Sequence, residues 1–262
     1  MFVFGANTVG QGRHIGARSQ WSRSVLGSST PAIWVTADSV AAADGALETW
    51  PALVGDDPTQ PTVSKRPDYG LQSWSRGGPA VTYDAVGEAH ALSTLDLSSY
   101  DSATIGITYE VTATGATRIL FLYGGSLTYN GDTLHYGVGS GDVGYSVVGD
   151  PVTADHIEVT DDALAGAPRC TVIVVDRAAA AANQVKFYDM TGAMGQSTSV
   201  SVDVSGNFGA AGNCWIGAEN NGGSGAADAV VREVVVWPLA MTAERATSMA
   251  RALAHRAKVI AP

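Results

Sequence analysis

The sequence predicts an all-β fold, a β-sandwich that one C-terminal helix closes. Short apolar segments rich in β-branched and aromatic residues alternate with stretches of Gly, Asn and Asp. The 262 residues include 31 glycines, and only 15% of the chain is charged, a composition typical of turn-rich β proteins. Helical periodicity occurs only near the end of the chain. We expect one large domain over residues 31–262, preceded by a short segment over residues 1–30.

The first segment, residues 1–30, is predicted to be an extended arm that has no fold of its own. It contains five glycines and scattered apolar residues with neither helical nor strand periodicity, so it lacks a core. The alternative is a disordered leader. The apolar residues favour an arm that becomes ordered on a partner, because their burial there would supply binding energy. The predicted docking residues are Phe2, Phe4, Arg13, Ile15, Arg18, Trp21 and Arg23.

The strands begin after Pro31. Segments 33–37, 46–54 and 80–83 are short and apolar, and segment 103–111 alternates between apolar and polar residues in the way a half-buried strand does. The connection over residues 55–79 is long and rich in Pro and Gly. So long a loop in a compact domain is usually functional or pinned to its neighbours.

The middle of the chain reads as a series of hairpins. Segment 118–123 is strand-like, and Asn130-Gly131 predicts a tight turn before segment 133–138 returns. Further predicted strands are 145–148, 170–175, 185–188 and 197–204. Segment 150–167 is acidic and is predicted to be an insertion or a solvated rim.

The end of the chain predicts a strand buried on both faces and then a helix. Residues 229–237 include three consecutive valines and a tryptophan, and Pro238 ends this strand. Thr242 is a candidate N-cap for a helix over residues 242–258, and Met241 can pack on Ala246. Apolar residues recur at helical spacing and predict the face that packs on the sheet; they are Ala246, Met249, Ala250, Leu253 and Ala257.

Four stretches resemble concanavalin A-like (LamG-type) jelly-roll domains, especially those of bacteriophage virion proteins. The final stretch, WIGA, an Asn/Gly loop and VVREVVVWPLAMTAERATSMARALAHR, is similar to the closing segment of that family. Earlier, AIWVTADSV, ALETWPALVGDDPTQPTVSKRPDY and GGPAVTYDA resemble its opening strands and its Arg-Pro loop. The resemblance spans about residues 31–257 and implies a concanavalin A-like sandwich. It leaves the function open, since this fold carries lectins, glycosidases and architectural modules.

Charge is distributed unevenly along the chain. The net charge is −10, yet residues 1–30 contain three arginines and no acidic residue. Residues 31–262 therefore carry 12 of the 15 basic side chains and all 25 acidic ones, a net charge of −13. A body of this charge should repel nucleic acid and anionic membranes. No segment is long and apolar enough to be a signal peptide core or a membrane span, so we expect synthesis in a cytoplasm.

Together these features favour a non-enzymatic structural protein of a bacteriophage particle. We expect a capsid decoration, spike or tail-fibre module that its arm anchors to other virion proteins and that self-associates as a homo-oligomer. The alternative is an adhesin that binds host-surface glycans. A glycoside hydrolase is less favoured, because the paired carboxylates that retaining enzymes of this fold place on one strand are absent; the nearest cluster is Asp155-His156-Ile157-Glu158.

The sequence does not support other kinds of catalytic or cofactor site. The glycine-rich run at residues 139–144 precedes a predicted strand, whereas a dinucleotide site needs a helix there. The five histidines lack zinc-ligand spacing, and no nucleophile elbow occurs.

The sequence offers candidate ligand sites of two kinds. Carbohydrate binding needs an aromatic ring and nearby polar groups, and the candidates are Tyr69, Trp74, Arg76, Tyr129, Asn130 and Tyr136. The alternative is that these aromatic side chains pack inside the sandwich. No cofactor is expected, although calcium stays a weak candidate, with Asp44, Asp56 and Asp57 in loops. Cys170 and Cys214 lie in apolar segments and are predicted to be buried thiols and not a disulfide.

Overall fold

The computed structural model describes residues 29–84, 87–111, 118–124, 134–138, 143–149, 154–160, 167–180, 183–193, 206–209, 214–218 and 228–259. The chain divides into two units, residues 1–30 and residues 31–262. The predicted docking residues, from Phe2 to Arg23, lie outside the described part, so their role stays a prediction. The second unit contains two antiparallel sheets and one C-terminal helix, which confirms the predicted all-β class.

The described strands are numbered in chain order. They are β1 (Ile33–Thr36), β2 (Gly45–Ala46), β3 (Ala52–Val54), β4 (Asp68–Gly70), β5 (Ala80–Tyr83), β6 (His90–Ala91), β7 (Ser102–Val111), β8 (Arg118–Tyr123), β9 (Leu134–Val138), β10 (Val143–Gly149), β11 (Ala154–Thr160), β12 (Arg169–Asp176), β13 (Val185–Tyr188), β14 (Trp215–Ile216) and β15 (Ala229–Trp237). The helix α1 spans Ala243–Arg256, and 3-10 turns occur at Ala37–Ser39 and Val63–Lys65.

Two sheets form the sandwich. The larger has nine described strands in the order β13-β12-β7-β15-β5-β4-β2, with β1 paired to β15 and β3 paired to β1. The smaller has six, in the order β11-β10-β9-β8-β14-β6. Residues from both sheets meet in one hydrophobic core between them; Ile105, Ile107 and Val234 come from the larger sheet, and Phe121 and Ile216 from the smaller.

Strand β15 lies at the centre of the larger sheet. It pairs with β7 along one side, and along the other it pairs first with β5 and then with β1. The register shifts between Val231 and Glu233, so Arg232 forms an irregularity in the ladder with β7. All nine residues are buried. The bounds of β15 match the predicted strand, and its burial on both faces is confirmed.

Helix α1 packs on the outer face of the larger sheet, over β12, β7 and β13. Thr242 is its N-cap, as predicted, and its side-chain oxygen accepts a hydrogen bond from the Arg245 backbone N–H at 3.4 Å. The predicted apolar stripe is buried from Ala246 to Leu253, and Ala257 just beyond the helix is buried too. Within the described chain no helix has the length and apolar character that crossing a membrane requires.

Strand β7 departs from the prediction of a half-buried strand. Nine of its ten residues are buried, because the core covers one face and α1 covers the other. Gly106 is the point of closest approach. A Cβ at this position would lie 2.2 Å from Met249 Cε and 2.8 Å from Leu253 Cδ1. The absence of a side chain at Gly106 therefore lets the helix pack directly on the sheet.

Two other segments also differ from the prediction. Residues 46–54 do not form one strand, since β2 ends at Ala46 and β3 begins at Ala52, with the buried residues Leu47 and Trp50 between them. Residues 150–167 are not only a rim, because β11 pairs with β10 along its whole length as the edge of the smaller sheet. The acidic composition of this segment concealed the strand, since the pairing depends on a neighbour and not on local apolarity.

The long connection over residues 55–79 is pinned to its neighbours. Arg66 forms an ion pair with Glu48 at 2.6 Å, and the buried Gln60 side chain donates to the Ala89 carbonyl at 2.9 Å. The connection also contains β4 and the 3-10 turn at Val63–Lys65. Of the two predicted alternatives, the pinned loop is the one observed.

The contact at Gly106 gives a stability test. We expect Gly106→Ala to destabilise the protein by about 1–3 kcal/mol, because the added methyl group overlaps the Met249 side chain. Equilibrium urea unfolding of the parent and the variant measures the difference. The double variant Gly106→Ala/Met249→Ala is the control, since it should cost less than the sum of the two single changes. An unchanged or raised stability in Gly106→Ala alone would contradict this packing.

Candidate functional site

The structure corrects the sugar-binding prediction for two aromatic residues. Trp74 is only 1% exposed, and its indole N–H donates to the Ala257 carbonyl at 2.7 Å. It packs with Ala80 and Val230, between the sheet and the end of α1. Tyr69 is 2% exposed and lies in the main core. Neither ring offers an open face, so both follow the packing alternative, because burial of such large apolar surfaces stabilises the fold.

The other predicted sugar-binding residues are Arg76, Tyr129, Asn130 and Tyr136. Arg76 is exposed in the turn after the buried Trp74. Tyr129 and Asn130 lie outside the described residues. Tyr136 belongs to β9, where it pairs with the core residue Phe121, and its side chain is not described.

The calcium candidates do not form a site in the described structure. Asp44 accepts a hydrogen bond from the Leu71 backbone N–H at 2.7 Å, and Asp57 accepts one from the Ala52 N–H at 2.7 Å. Asp56 is exposed. Across the described ranges, no three His, Cys, Asp or Glu side chains are close enough to hold a metal ion. Because calcium needs six to eight oxygen ligands, these residues do not fit it.

A buried carboxylate joins the sheet to the helix. Glu233 on β15 is 1% exposed, accepts a hydrogen bond from the Trp34 indole N–H at 2.6 Å and pairs with Arg256 at 3.2 Å. The Arg256 guanidinium also lies 5.4 Å from the centre of the Trp34 ring. Burial raises the pKa of Glu233, while Arg256 and the Trp34 N–H act in the opposite direction. This carboxylate is engaged in structural contacts.

The neighbouring residue Arg232 is also engaged in structural contacts. Its guanidinium donates to both oxygens of Asp38, at 3.0 and 3.1 Å, and to the Pro79 carbonyl at 2.9 Å. These contacts tie β15 to the 3-10 turn after β1 and to the end of the long connection. They are charge-assisted hydrogen bonds, which are stronger than neutral ones.

A buried histidine connects the two sheets. His90 on β6 contacts the Tyr83 hydroxyl through Nδ1 at 3.0 Å and the Leu47 carbonyl through Nε2 at 3.0 Å. A carbonyl only accepts, so Nε2 carries the proton and the Tyr83 hydroxyl donates to Nδ1. Burial lowers the pKa of His90 to about 4, although the Leu47 hydrogen bond opposes this. The neutral imidazole is therefore the form that the fold holds.

Both cysteines are free and buried, as predicted. The Cys170 thiol lies 3.3 Å from the Ala250 carbonyl, and the Cys214 thiol lies 3.7 Å from the Leu95 carbonyl. Burial raises the pKa of both groups, that of Cys214 to about 11. They stay protonated near neutral pH and lack the thiolate form that a nucleophile needs.

Trp215 is a candidate ligand contact that the sequence analysis did not identify. The neighbouring Ile216 faces the core, so Trp215 lies on the opposite, outer face of the smaller sheet. Its ring is half-buried against Ala89 and Ala218. The indole N–H is buried without a hydrogen-bond partner in the described structure. A partly open aromatic ring can stack on the C–H face of a sugar.

A second feature is a groove of about 410 Å³ between the start of α1 and the end of β13. One wall is formed by Glu244, Thr247, Ser248 and Arg251 of the helix. The other wall is the turn that follows Tyr188. Local sequence does not predict this groove, because its two walls come from segments that are far apart in the chain.

The inter-sheet histidine gives a pH test. In the unfolded chain the pKa of His90 is about 6.5, against about 4 in the folded protein. Between these values only the unfolded state binds the proton, so the stability present above pH 6.5 is lost as the pH falls towards 4. The loss attributable to His90 is about 3 kcal/mol.

Urea unfolding of the parent and of His90→Gln at pH 7 and pH 4.5 measures this loss. The variant should lose less stability than the parent over this range, because glutamine does not titrate. Equal losses in the two proteins would show that the buried imidazole does not carry the pH dependence.

Comparisons with known proteins bear on the fold. No family model matches the sequence, and neither does any curated protein. Among solved structures, the chain is similar to Trypanosoma rangeli sialidase in complex with sialic acid, with a TM-score of 0.54 and 12% sequence identity. That match covers 95% of this chain and 40% of the sialidase.

Two smaller structures also match. The CBM40 of Ruminococcus gnavus IT-sialidase, bound to α2,3-sialyllactose, has a TM-score of 0.49 and 12% identity, covering 65% of this chain and 96% of that one. A native heptameric SAP-like pentraxin from Limulus polyphemus has a TM-score of 0.49 and 15% identity, covering 65% and 81%. None of these three is a virion protein. At 12% identity the likeness to the sialidase shows the fold alone, and it agrees with the predicted β-sandwich.

Proposed function

We propose that this protein is a non-enzymatic structural component of a bacteriophage-type particle. Residues 1–30 dock on a capsid or tail protein, and residues 31–262 project outward as a decoration, spike or fibre head. The observation that carries the proposal is the separation of charge between the two units. The first has three arginines and no acidic residue, whereas the second has a net charge of −13.

The charge separation favours attachment through the first unit. Aromatic side chains such as Phe2, Phe4 and Trp21 would supply apolar area on docking, and the three arginines would add hydrogen bonds to an acidic partner. The acidic body repels polyanions, so nucleic acid and anionic membranes are poor partners for it. Assembly takes place in the host cytoplasm, and copies of the chain associate symmetrically around the arm.

The contacts of the buried ionisable groups support a non-enzymatic role. Glu233, Arg232 and His90 each bind neighbouring elements of the fold. A retaining glycoside hydrolase would need two carboxyl groups about 5 Å apart. Glu233 instead pairs with Arg256 at 3.2 Å and is covered by the helix. Its environment is that of a structural ion pair.

Removal of the arm tests the proposed attachment. A chain lacking residues 1–30 should fold but should not be incorporated into particles, because it lacks the docking surface. Quantitative mass spectrometry of purified particles, with circular dichroism of the isolated protein, measures both properties. A second variant, Phe2→Ala/Phe4→Ala/Trp21→Ala, keeps the arm and its charge but removes apolar docking area. Its incorporation should fall at least tenfold, since each factor of ten corresponds to ~1.4 kcal/mol of lost binding free energy. Normal incorporation of the truncated chain would overturn the proposal.

A second candidate function is binding of host-surface glycans. The specific observation that favours it is the partly exposed ring of Trp215 on the outer face of the smaller sheet. The ring would stack on the C–H face of a sugar. The two functions are compatible, since a displayed sandwich is placed where it meets the host surface.

Substitution of Trp215 tests the glycan function. We expect the full-length parent to bind a subset of glycans on an array, and Trp215→Ala to lose that binding. Trp215→Phe keeps an aromatic ring of smaller area, so it should retain part of the affinity. Thermal unfolding of all three proteins checks that the fold persists. Binding by Trp215→Ala equal to that of the parent would exclude this ring as the platform.

A further inference from the structure

The groove between α1 and the end of β13 has features that the fold itself does not require. The helix packs on the sheet through a different stripe, which includes Ala246, Met249 and Leu253. Glu244, Thr247, Ser248 and Arg251 follow the spacing i, i+3, i+4 and i+7, so they share a second face. This face is polar and partly or fully exposed. It lines a shallow, open groove of about 410 Å³.

The opposite wall of the groove is held in a fixed conformation. Tyr188 and Ala193 form a β-bridge, and the Asp189 N–H donates to the Gly192 carbonyl at 2.9 Å. The Asp189 carboxylate accepts hydrogen bonds from the Thr191 N–H, the Thr191 hydroxyl and the Gly192 N–H, at 2.7, 2.6 and 3.1 Å. An exposed turn with this many internal hydrogen bonds is preorganised, which lowers the entropic cost of binding.

Arg251 joins the two walls. Its Nε donates to the Met190 carbonyl at 2.8 Å, which fixes the plane of the guanidinium. Its two terminal nitrogens have no partner among the residues that the structure describes, so their donors are available to a ligand. Glu244 likewise has no hydrogen bond or ion pair within the described ranges. They lie seven positions apart on the helix, a distance of about 10 Å along the axis, so they do not pair with each other.

The lining defines the class of ligand. The groove has a guanidinium donor at one end, a carboxylate acceptor at the other, and the Thr247 and Ser248 hydroxyls between them. These groups match a molecule with several hydroxyl groups. Ala193 and Ala243 add an apolar patch for the C–H side of a sugar ring. An anionic ligand would meet Arg251 but would be repelled by Glu244 and by the acidic body. The balance of charge favours a neutral ligand.

We propose that this groove binds one neutral hexose unit of a glycan, as a site separate from Trp215. The groove lies at the edge of the larger sheet and Trp215 lies on the smaller sheet, so the two would contact different parts of a glycan or different glycans. This inference rests on the glycan-binding candidate function, because it names a second sugar contact of the same protein.

Saturation-transfer-difference NMR with lactose, cellobiose and maltose tests the groove on the full-length protein. We expect the parent to give a signal with at least one of these neutral sugars. Arg251→Gln and Glu244→Gln should each weaken the affinity about tenfold, since each removes a charged hydrogen-bonding group. Both side chains are exposed, so the variants should fold, and thermal unfolding verifies this. The matched control is Arg76→Gln, an exposed arginine outside the groove that should leave the signal unchanged.

The outcomes separate the groove from the glycan function as a whole. Loss of the signal in Arg251→Gln and Glu244→Gln but not in Arg76→Gln supports the groove. If both groove variants bind the sugars as tightly as the parent and Trp215→Ala loses glycan binding, the proposed groove site is overturned. The glycan-binding function is then still supported. If the parent gives no signal with any of the three sugars, the proposed groove site is also overturned. If the parent in addition binds no glycan on the array, the glycan-binding function is overturned too. A stronger signal with 3′-sialyllactose than with lactose would contradict the proposal that the groove prefers a neutral sugar.

Discussion

The fold depends on the burial of β15 from both sides. One face of this strand packs into the core between the sheets, and the other is buried against the end of α1, where Glu233 pairs with Arg256 and Val230 packs with Ala257. Glu233 makes this arrangement specific. A buried carboxylate is costly unless it is paired, and its partners are Trp34 from β1 and Arg256 from the end of α1. The first strand, the central strand and the helix are therefore joined at one carboxylate, although they are far apart in the chain.

This constraint determines where binding can take place. The core fills one face of the larger sheet, and α1 packs over β12, β7 and β13 on the other face. The proposed ligand contacts therefore lie at the edge of that sheet and on the outer face of the smaller one. The groove beside β13 and the ring of Trp215 are at such positions. Arg232 and His90 are buried polar groups, and each makes contacts that hold loops or sheets together. The interior thus supplies rigidity, and the proposed interactions belong to the periphery and to residues 1–30.

Much of the fold was predictable from local sequence. The nine residues of β15 are apolar throughout except for Arg232 and Glu233, and Thr242 followed by the apolar stripe identified α1 and its face. The candidate site was less predictable. Trp74 lies in a loop rich in Pro and Gly, and its burial depends on the end of the helix, 183 residues later. The position of Trp215 on the outer face could not be predicted from local sequence, because it depends on the pairing register of the two-residue strand β14. The walls of the groove are 63 residues apart at Tyr188 and Arg251, so no local pattern brings them together.

Native-state hydrogen exchange of the full-length protein tests most directly whether the helix and the central strand form one unit. Amides of β15, β7 and α1 should exchange only through global unfolding, with the same free energy and the same dependence on denaturant, because removing the helix would expose the outer face of the sheet and leave Glu233 unpaired. Exchange of the α1 amides at a free energy well below that of β15 would contradict this account. The helix would then be a peripheral addition, and the two-sided burial of β15 would not be what holds the sandwich together.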